Sequence, residues 1–362
     1  MTDILFILPV SGGSGGAHSV MQEANAMRRL GVDAAIAVNA NNAGKLRQSY
    51  GDLPEIARHI HGYQGADGLG ALLAERSIGI AVATTNQSVH VLAKALSRGK
   101  LGSQRTAYYV QDYEPLFYPC DSDDWLAAHA SYGLIPGMVH FAKTGWVQET
   151  VRNNHRVEVH KVAPSIDHDV YYPCINQPRA VGERLSVVAM LRPATPRRAP
   201  RRTVRIMNHL AHEFGDRLSC SVFGCTDAEL AGQSLELCGV ENHGVLRRES
   251  VGTLFRTTDL FLDLSDYQAF GRTALEAMSC GTIAVVPIHG GSGEYARDGN
   301  NGFVVDTRDD DAILTAVRGF MGMTAGERSE MRLNGIAAGF RHSPENAALS
   351  EVRLLASHLF ER

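Results

Sequence analysis

Paired cysteines are missing from this chain. Six occur, at positions 120, 174, 220, 225, 238 and 280, with no C-x-x-C pair and no Cys/His ligand spacing. A disulfide framework and a thiolate metal site are therefore excluded as organising elements, and the six read as reduced thiols of a cytoplasmic protein. Long apolar runs are missing too. No stretch of about 18 apolar residues exists, which excludes a membrane-spanning helix and leaves peripheral attachment at the inner face of a membrane open. Strong charge of either sign is absent: the net charge of −4 argues against nucleic acid as the main partner. The start, Met1-Thr-Asp-Ile-Leu-Phe-Ile-Leu-Pro9, has no basic leader and is too short for a signal sequence, so it reads as a first strand. Aromatic residues make up only 7% of the chain, so a place where they cluster carries information.

What is present is a 362-residue chain with 44% apolar residues and 36 glycines, long enough for two domains. Short apolar strands alternate with helical patterns throughout, the signature of parallel sheets with helices on both faces. The expected strands of a first series are 4–8, 34–38, 80–83, 107–110, 139–142 and 160–163. Those of a second series are 186–190, 218–223, 260–264, 283–287 and 303–305. The expected organisation is an N-terminal Rossmann-like domain (1–170), a proline-bearing linker (171–183) and a C-terminal Rossmann-like domain (184–340). A last helix (341–362) is expected to pack back towards the N-terminal domain. Two such α/β units, each doubly wound, are expected to face a central cleft at the carboxyl ends of their strands.

The most informative stretch is Asp266-Tyr-Gln-Ala-Phe-Gly-Arg-Thr-Ala-Leu-Glu-Ala-Met-Ser-Cys-Gly281, after the apolar run Asp259-Leu-Phe-Leu-Asp-Leu264. A strand feeding the Phe270-Gly271 turn and a helix start presents unpaired amides to an anion. Glu276 in that helix suits a ribose diol, because a carboxylate accepts from two hydroxyls. An ordinary strand-to-helix turn with a solvated Glu is the plainer alternative. Arginines cluster in Leu191-Arg-Pro-Ala-Thr-Pro-Arg-Arg-Ala-Pro-Arg-Arg-Thr-Val-Arg205. Arg192 and Arg197 follow a strand end, where their planar forks suit phosphate oxygens. Arg201, Arg202 and Arg205 read instead as a solvated or membrane-facing surface.

The first strand runs into Ser11-Gly-Gly-Ser-Gly-Gly-Ala-His-Ser19, whose Gly15 and Gly16 allow close approach of the backbone to a phosphate or sugar. It fails as a dinucleotide fingerprint: counting from Gly13, the last glycine position is His18, and no acidic residue ends the second strand. The aromatic cluster is Tyr108-Tyr-Val-Gln-Asp-Tyr-Glu-Pro-Leu-Phe-Tyr-Pro119, where Gln111, Asp112 and Glu114 sit among five aromatic side chains. Sugar rings offer apolar faces and hydroxyl edges to such a surface. A further loop, His289-Gly-Gly-Ser-Gly-Glu294, ends the strand at 283–287. Asp259, Asp263 and Asp266 lie close in sequence, but strand alternation and solvation account for them better than a metal does, so no metal is expected.

On these residues the chain resembles the retaining nucleotide-sugar glycosyltransferases of sequence family 4, which have the GT-B fold. The family's signature of two Glu residues around a Phe-Gly turn reads here Gln268-Ala-Phe-Gly-Arg-Thr-Ala-Leu-Glu276. Arg192 and Arg197 match its diphosphate-binding Arg and Lys, Gly15-Gly16-Ala17 its first glycine loop, and Asp167 its Gly-Val-Asp segment, with Ser165 for the Gly. The resemblance implies transfer of a sugar from a nucleotide sugar to a carbohydrate acceptor with retention of configuration, without a metal or other cofactor. Arg192, Arg197, Gln268 and Asp112 would be catalytic. Gly15, Gly16, Arg192, Arg197, Phe270, Gly271, Arg272, Thr273 and Glu276 would hold the nucleotide sugar, and Gln111, Asp112, Glu114 and His18 the acceptor. Two positions depart from the pattern: Gln268 stands for a Glu and Gln111 for a His. The first reads as tuning for the donor, so a Glu at 268 is expected to be tolerated. Gln111 to Pro119, with Arg192 to Arg198, looks like bacterial rhamnan-type rhamnosyltransferases, which implies dTDP-L-rhamnose as donor and a cell-surface polysaccharide as product. A nucleotide-sugar epimerase of the same fold and a non-catalytic nucleotide-sugar-binding protein stay open beside this reading.

Overall fold

The computed structural model describes residues 3–9, 15–76, 78–98, 105–174 and 184–360. Most of the glycine loop at 11–14 and most of the linker at 175–183 lie outside the described residues. The chain forms two compact units, Met1–Ser165 with Ser343–Arg362, and Ile166–His342. In the first, strands β1 (Ile4–Leu8), β2 (Ala34–Asn39), β3 (Ile60–Tyr63), β4 (Ile80–Ala83), β5 (Arg105–Val110), β6 (Val139–Ala142) and β7 (Val159–Lys161) form one sheet. Its order is β3-β2-β1-β4-β5-β6-β7, parallel throughout. In the second, β8 (Leu185–Met190), β9 (Leu218–Phe223), β10 (Val240–Asn242), β11 (Leu260–Leu262), β12 (Ile283–Pro287) and β13 (Phe303–Val305) pair in the order β10-β9-β8-β11-β12-β13, again all parallel.

The central strands are apolar on both faces because helices cover both. β1, β4 and β12 are buried at every position, the continuous pattern of a doubly covered parallel sheet. In each unit the strand order reverses once, between β1 and β4 and between β8 and β11. Such switch points are where doubly wound sheets leave room for a ligand at the strands' carboxyl ends.

The helix Pro344–Phe360 belongs to the first unit. Ala348 and Leu355 join the core with Val20 and Met27 of the helix Gly15–Arg29. Glu345 pairs with Arg29 at 3.0 Å, and Ser350 Oγ accepts the Ala163 amide at 2.8 Å. Glu351 is fully buried near Glu23, which accepts the Tyr109 hydroxyl at 3.0 Å and pairs with Lys143. Burial, then the charge of Glu23, holds the Glu351 carboxyl well above the ordinary range.

Candidate active site

In the second unit the loops that follow β8, β11 and β12 are tied together. Arg192, two residues beyond Met190 at the end of β8, is exposed and donates from Nη1 to the Gly224 carbonyl at 3.1 Å. Arg197 accepts on its carbonyl the Asp266 amide at 2.9 Å and lies 5.7 Å over the Tyr267 ring. Arg202 donates to the Leu264 carbonyl at 3.0 Å and to Asp266 at 2.8 Å. It is thus partly buried and pins the loop after β11, a correction to its reading as solvated surface. Arg205 is exposed and pairs with Asp310 at 2.7 Å, as a surface arginine does.

The Phe270-Gly271 turn owes its shape to its glycine. Gly271 has φ +83°, and an added Cβ would stand 2.5 Å from the Tyr295 hydroxyl. That hydroxyl donates to the Gly271 carbonyl at 2.8 Å, and the Tyr295 ring meets Phe270 edge-on at 5.4 Å. The helix Arg272–Ser279 starts there, with Thr273 Oγ1 against Met190 Sδ of β8 at 3.9 Å. Glu276 lies inside, where Arg272 Nε donates to its Oε1 at 2.7 Å. Burial raises the Glu276 carboxyl, and Arg272 draws it back. Asp167 pairs with Arg248 at 3.3 Å; burial raises its carboxyl while Arg248 and Arg272 oppose the rise. Arg248 starts a helix (Arg248–Thr257) whose sequence carries no sign of this role; only the fold brings it near.

Gln268 is 3% exposed. It bridges to Gly290 of the next loop, and its carbonyl accepts the Gly291 amide at 2.7 Å. Its Nε2 donates to Asp263 Oδ2 at 2.6 Å and to Ser265 Oγ at 3.0 Å. Asp263 is therefore neither solvated nor idle, which corrects its dismissal on strand alternation. The other two aspartates are committed elsewhere: Asp259 accepts the Ser186 amide at 2.9 Å and faces Arg332 at 3.3 Å, and Asp266 takes Arg202. Among the described residues no group of three or more His, Cys, Asp or Glu is placed to hold a metal ion.

In the first unit Gln111 donates from Nε2 to the Thr84 carbonyl at 3.1 Å, and Thr84 Oγ1 donates to the Ile7 carbonyl at 2.7 Å, across the switch point. A Cβ on Gly16 would lie 2.6 Å from Gln111 Oε1, so the helix start at Gly15 and the Gln111 side chain pack against each other. Asp112, half-buried, accepts the Tyr113 amide at 2.9 Å. Two residues assigned to the acceptor turn inward instead. His18 is 6% exposed and stacks on Tyr50 at 5.7 Å. Glu114 is buried, accepting the Asn86 amide at 3.1 Å, the Asn86 side chain and the Tyr108 hydroxyl at 3.3 Å. Its carboxylate serves the start of the helix Asn86–Arg98.

Burial pushes the Glu114 carboxyl up to about 7, with the Asn86 bonds acting the other way. The folded state then binds more protons than the unfolded one between the ordinary carboxyl value of 4.5 and 7, so stability falls as pH rises through that window. At 1.36 kcal/mol per pH unit the full displacement is worth about 3 kcal/mol. Glu114→Gln removes this term. Thermal melts at pH 5 and pH 8 should show wild type losing more stability over that interval than the variant. Parallel profiles would refute it.

The family model for glycosyl transferases group 1 matches residues 183–337. The match falls within the second unit. The O-antigen biosynthesis protein RfbC of Myxococcus xanthus is 29% identical over 179 residues, 49% of this chain and 13% of that protein. The GDP-mannose-dependent alpha-(1-6)-phosphatidylinositol monomannoside mannosyltransferase of Mycolicibacterium smegmatis is 29% identical over 171 residues, 42% of this chain and 44% of that enzyme. The matches thus span less than half the length of these relatives. Over the whole chain the fold matches Alr3699/HepE of Anabaena, solved with UDP and glucose, at TM-score 0.76 and 16% identity, covering 99% of this chain and 100% of that one. It also matches the sucrose-phosphate synthase of Thermosynechococcus elongatus at TM-score 0.76 and 13% identity, covering 98% and 99%. The fold is that of the GT-B glycosyltransferases.

Proposed function

We propose that this chain is a group 1 glycosyltransferase that moves a sugar from a nucleoside diphosphate to a carbohydrate acceptor in glycan synthesis, with retention of configuration. The observation that carries this reading is the convergence, at one switch point, of Arg192, Arg197, the Phe270-Gly271-Arg272-Thr273 turn and the buried Glu276. The arginine charge takes the part that a divalent ion plays elsewhere, so activity without metal belongs to the reading. The diphosphate, once its bond to the sugar breaks, can itself take the acceptor's proton. The protein's tasks are then to stabilise the leaving charge and to orient the acceptor.

Gln111 and Asp112 supply the acceptor side of this reading, with Asp112 the polar group nearest the transferred hydroxyl, and Gly15 and Gly16 belong with the groups assigned to the nucleotide sugar. The likeness of two segments to rhamnosyltransferases supports dTDP-L-rhamnose as donor and a cell-surface polysaccharide as product. No helix among the described residues is long and apolar enough to cross a membrane. A cytoplasmic enzyme meeting the inner face of the membrane peripherally completes the proposal.

Glu276 supplies the test. Glu276→Gln keeps the side chain's shape and a partner for Arg272 but removes the charge offered to ribose. Affinity for the nucleoside diphosphate should fall by about 1.5–3 kcal/mol, the range for hydrogen bonds to charged groups. Titration calorimetry measures it, and unchanged affinity removes Glu276 from the nucleotide site. Turnover of nucleotide sugars with and without acceptor then separates transfer from epimerisation and from simple binding.

A further inference from the structure

The hydrogen bonds around Gln268 carry an inference that rests on the reading above and deepens it. Asp263 and Ser265 are 6% and 3% exposed, and Ser265 Oγ donates to Asp263 Oδ1 at 2.6 Å, its amide to the same oxygen at 3.2 Å. Gln268 Nε2 spends its two hydrogens on Asp263 Oδ2 and Ser265 Oγ, closing a ring of three side chains. Asp263 forms no ion pair among the described residues; three neutral donors surround it. The ring fixes which way the amide faces, because an amide turned over would set its carbonyl against a carboxylate. What is left of Gln268 is Oε1, an atom that can only accept, and no protein donor reaches it among the described residues.

This loop stands beside Arg197, at the carboxyl ends of the central strands. Phosphate oxygens suit the arginines and are repelled by a carbonyl backed by a carboxylate. A hydroxyl donates to that carbonyl well. We propose that Asp263 is a positioning residue that holds Gln268 as an acceptor-only contact for a hydroxyl of the donor sugar, its carboxylate making the amide carbonyl more electron-rich. The acid stands at 263 and the amide at 268, and the two positions form a matched pair. A Glu at 268 is then not tolerated at neutral pH, contrary to the expectation from sequence, because it would set two buried carboxylates against each other.

Four proteins test this: wild type, Asp263→Asn, Gln268→Glu and the double variant. Gln268→Glu should lose about tenfold or more in kcat at pH 8 and recover in part at pH 5.5, where a protonated carboxyl can donate to Asp263 as the amide does. Its thermal midpoint should follow the same pH course. Asp263→Asn should lower kcat by about fivefold or more with nucleoside diphosphate affinity unchanged, since the amide then faces either way. The double variant restores one acid and one amide, and should recover to within about threefold of wild-type kcat, with its midpoint restored at pH 8. A double variant no better than Gln268→Glu, in melting and in turnover, overturns the pairing, as does a Gln268→Glu profile flat with pH. If wild type transfers nothing from any nucleotide sugar while the melting rescue holds, the pair is a structural clamp; the functional reading and the positioning role both fall.

Discussion

Alanine at Arg197 or Arg192 is expected to lower kcat by about 10²–10³-fold, the loss seen when one preorganised donor to a developing oxyanion is removed. As the glycosidic bond breaks, negative charge grows on the diphosphate, so a guanidinium that meets it contributes more in the transition state than in the ground state. Arg192 is exposed, and its bond to the Gly224 carbonyl is one that a ligand phosphate can replace. Removing it should leave the thermal midpoint near that of wild type. Arg197 is half-buried over Tyr267, so a small loss of stability should accompany its loss of turnover. Lysine at either position keeps the charge but not the fork, and should recover part of the rate. Steady-state kinetics with saturating acceptor check this. A kcat within threefold of wild type in both alanine variants would take the diphosphate away from these arginines.

These two arginines were legible in sequence because a parallel sheet announces its own strand ends. The runs at 4–8, 80–83, 139–142, 218–223, 283–287 and 303–305 coincide with β1, β4, β6, β9, β12 and β13. Most are central strands with helices on both faces, and their burial writes itself as an unbroken apolar run. β3 and β10 left no such mark. Ile60-His-Gly-Tyr63 and Val240-Glu-Asn242 are sheet edges, three or four residues long and partly exposed, so nothing selects against polar side chains there. The site divides in the same way. The Phe270-Gly271 turn and Glu276 stand in one local motif that can be read by eye. Arg248 reaches the Asp167 carboxylate from 81 residues away, and a contact of that kind has no local signature. Glu114, in the aromatic cluster, and His18, after the glycine loop, are expected at the acceptor, and both are used by the fold. Aromatic neighbours mark a packed wall as readily as a binding face, and sequence alone does not say which side of Tyr108 is the inside.

Gly290→Ala should be among the most damaging single changes in the second unit, although it adds one methyl group. Gly290 has φ +106°, a conformation that costs an L residue energy by itself. The added Cβ would lie 2.0 Å from the Gln268 carbonyl oxygen and 2.8 Å from the Gln268 nitrogen. Both are backbone atoms, held by the bridge between the two loops and by the Gly291 amide on the Gln268 carbonyl at 2.7 Å. A side chain could rotate away, whereas this strand-end backbone has to move as a unit. The cost should exceed about 3 kcal/mol, in the range reserved for strain and overpacking. At about 2–4 °C per kcal/mol for a unit of this size, the midpoint should fall by about 6 °C or more. Gly293→Ala in the same loop is the control, because an added Cβ there meets nothing within 4 Å; it should stay within about 0.5 kcal/mol of wild type. The two changes add the same methyl a few residues apart, so the difference between them reports the left-handed backbone of Gly290 together with its contact with Gln268. Protein that stays folded should still transfer poorly, since moving the backbone of Gln268 moves its amide off Asp263. A Gly290→Ala protein that melts with wild type and turns over normally would mean that the two loops are not in register, and the acceptor-only role given to Gln268 would lose its foundation.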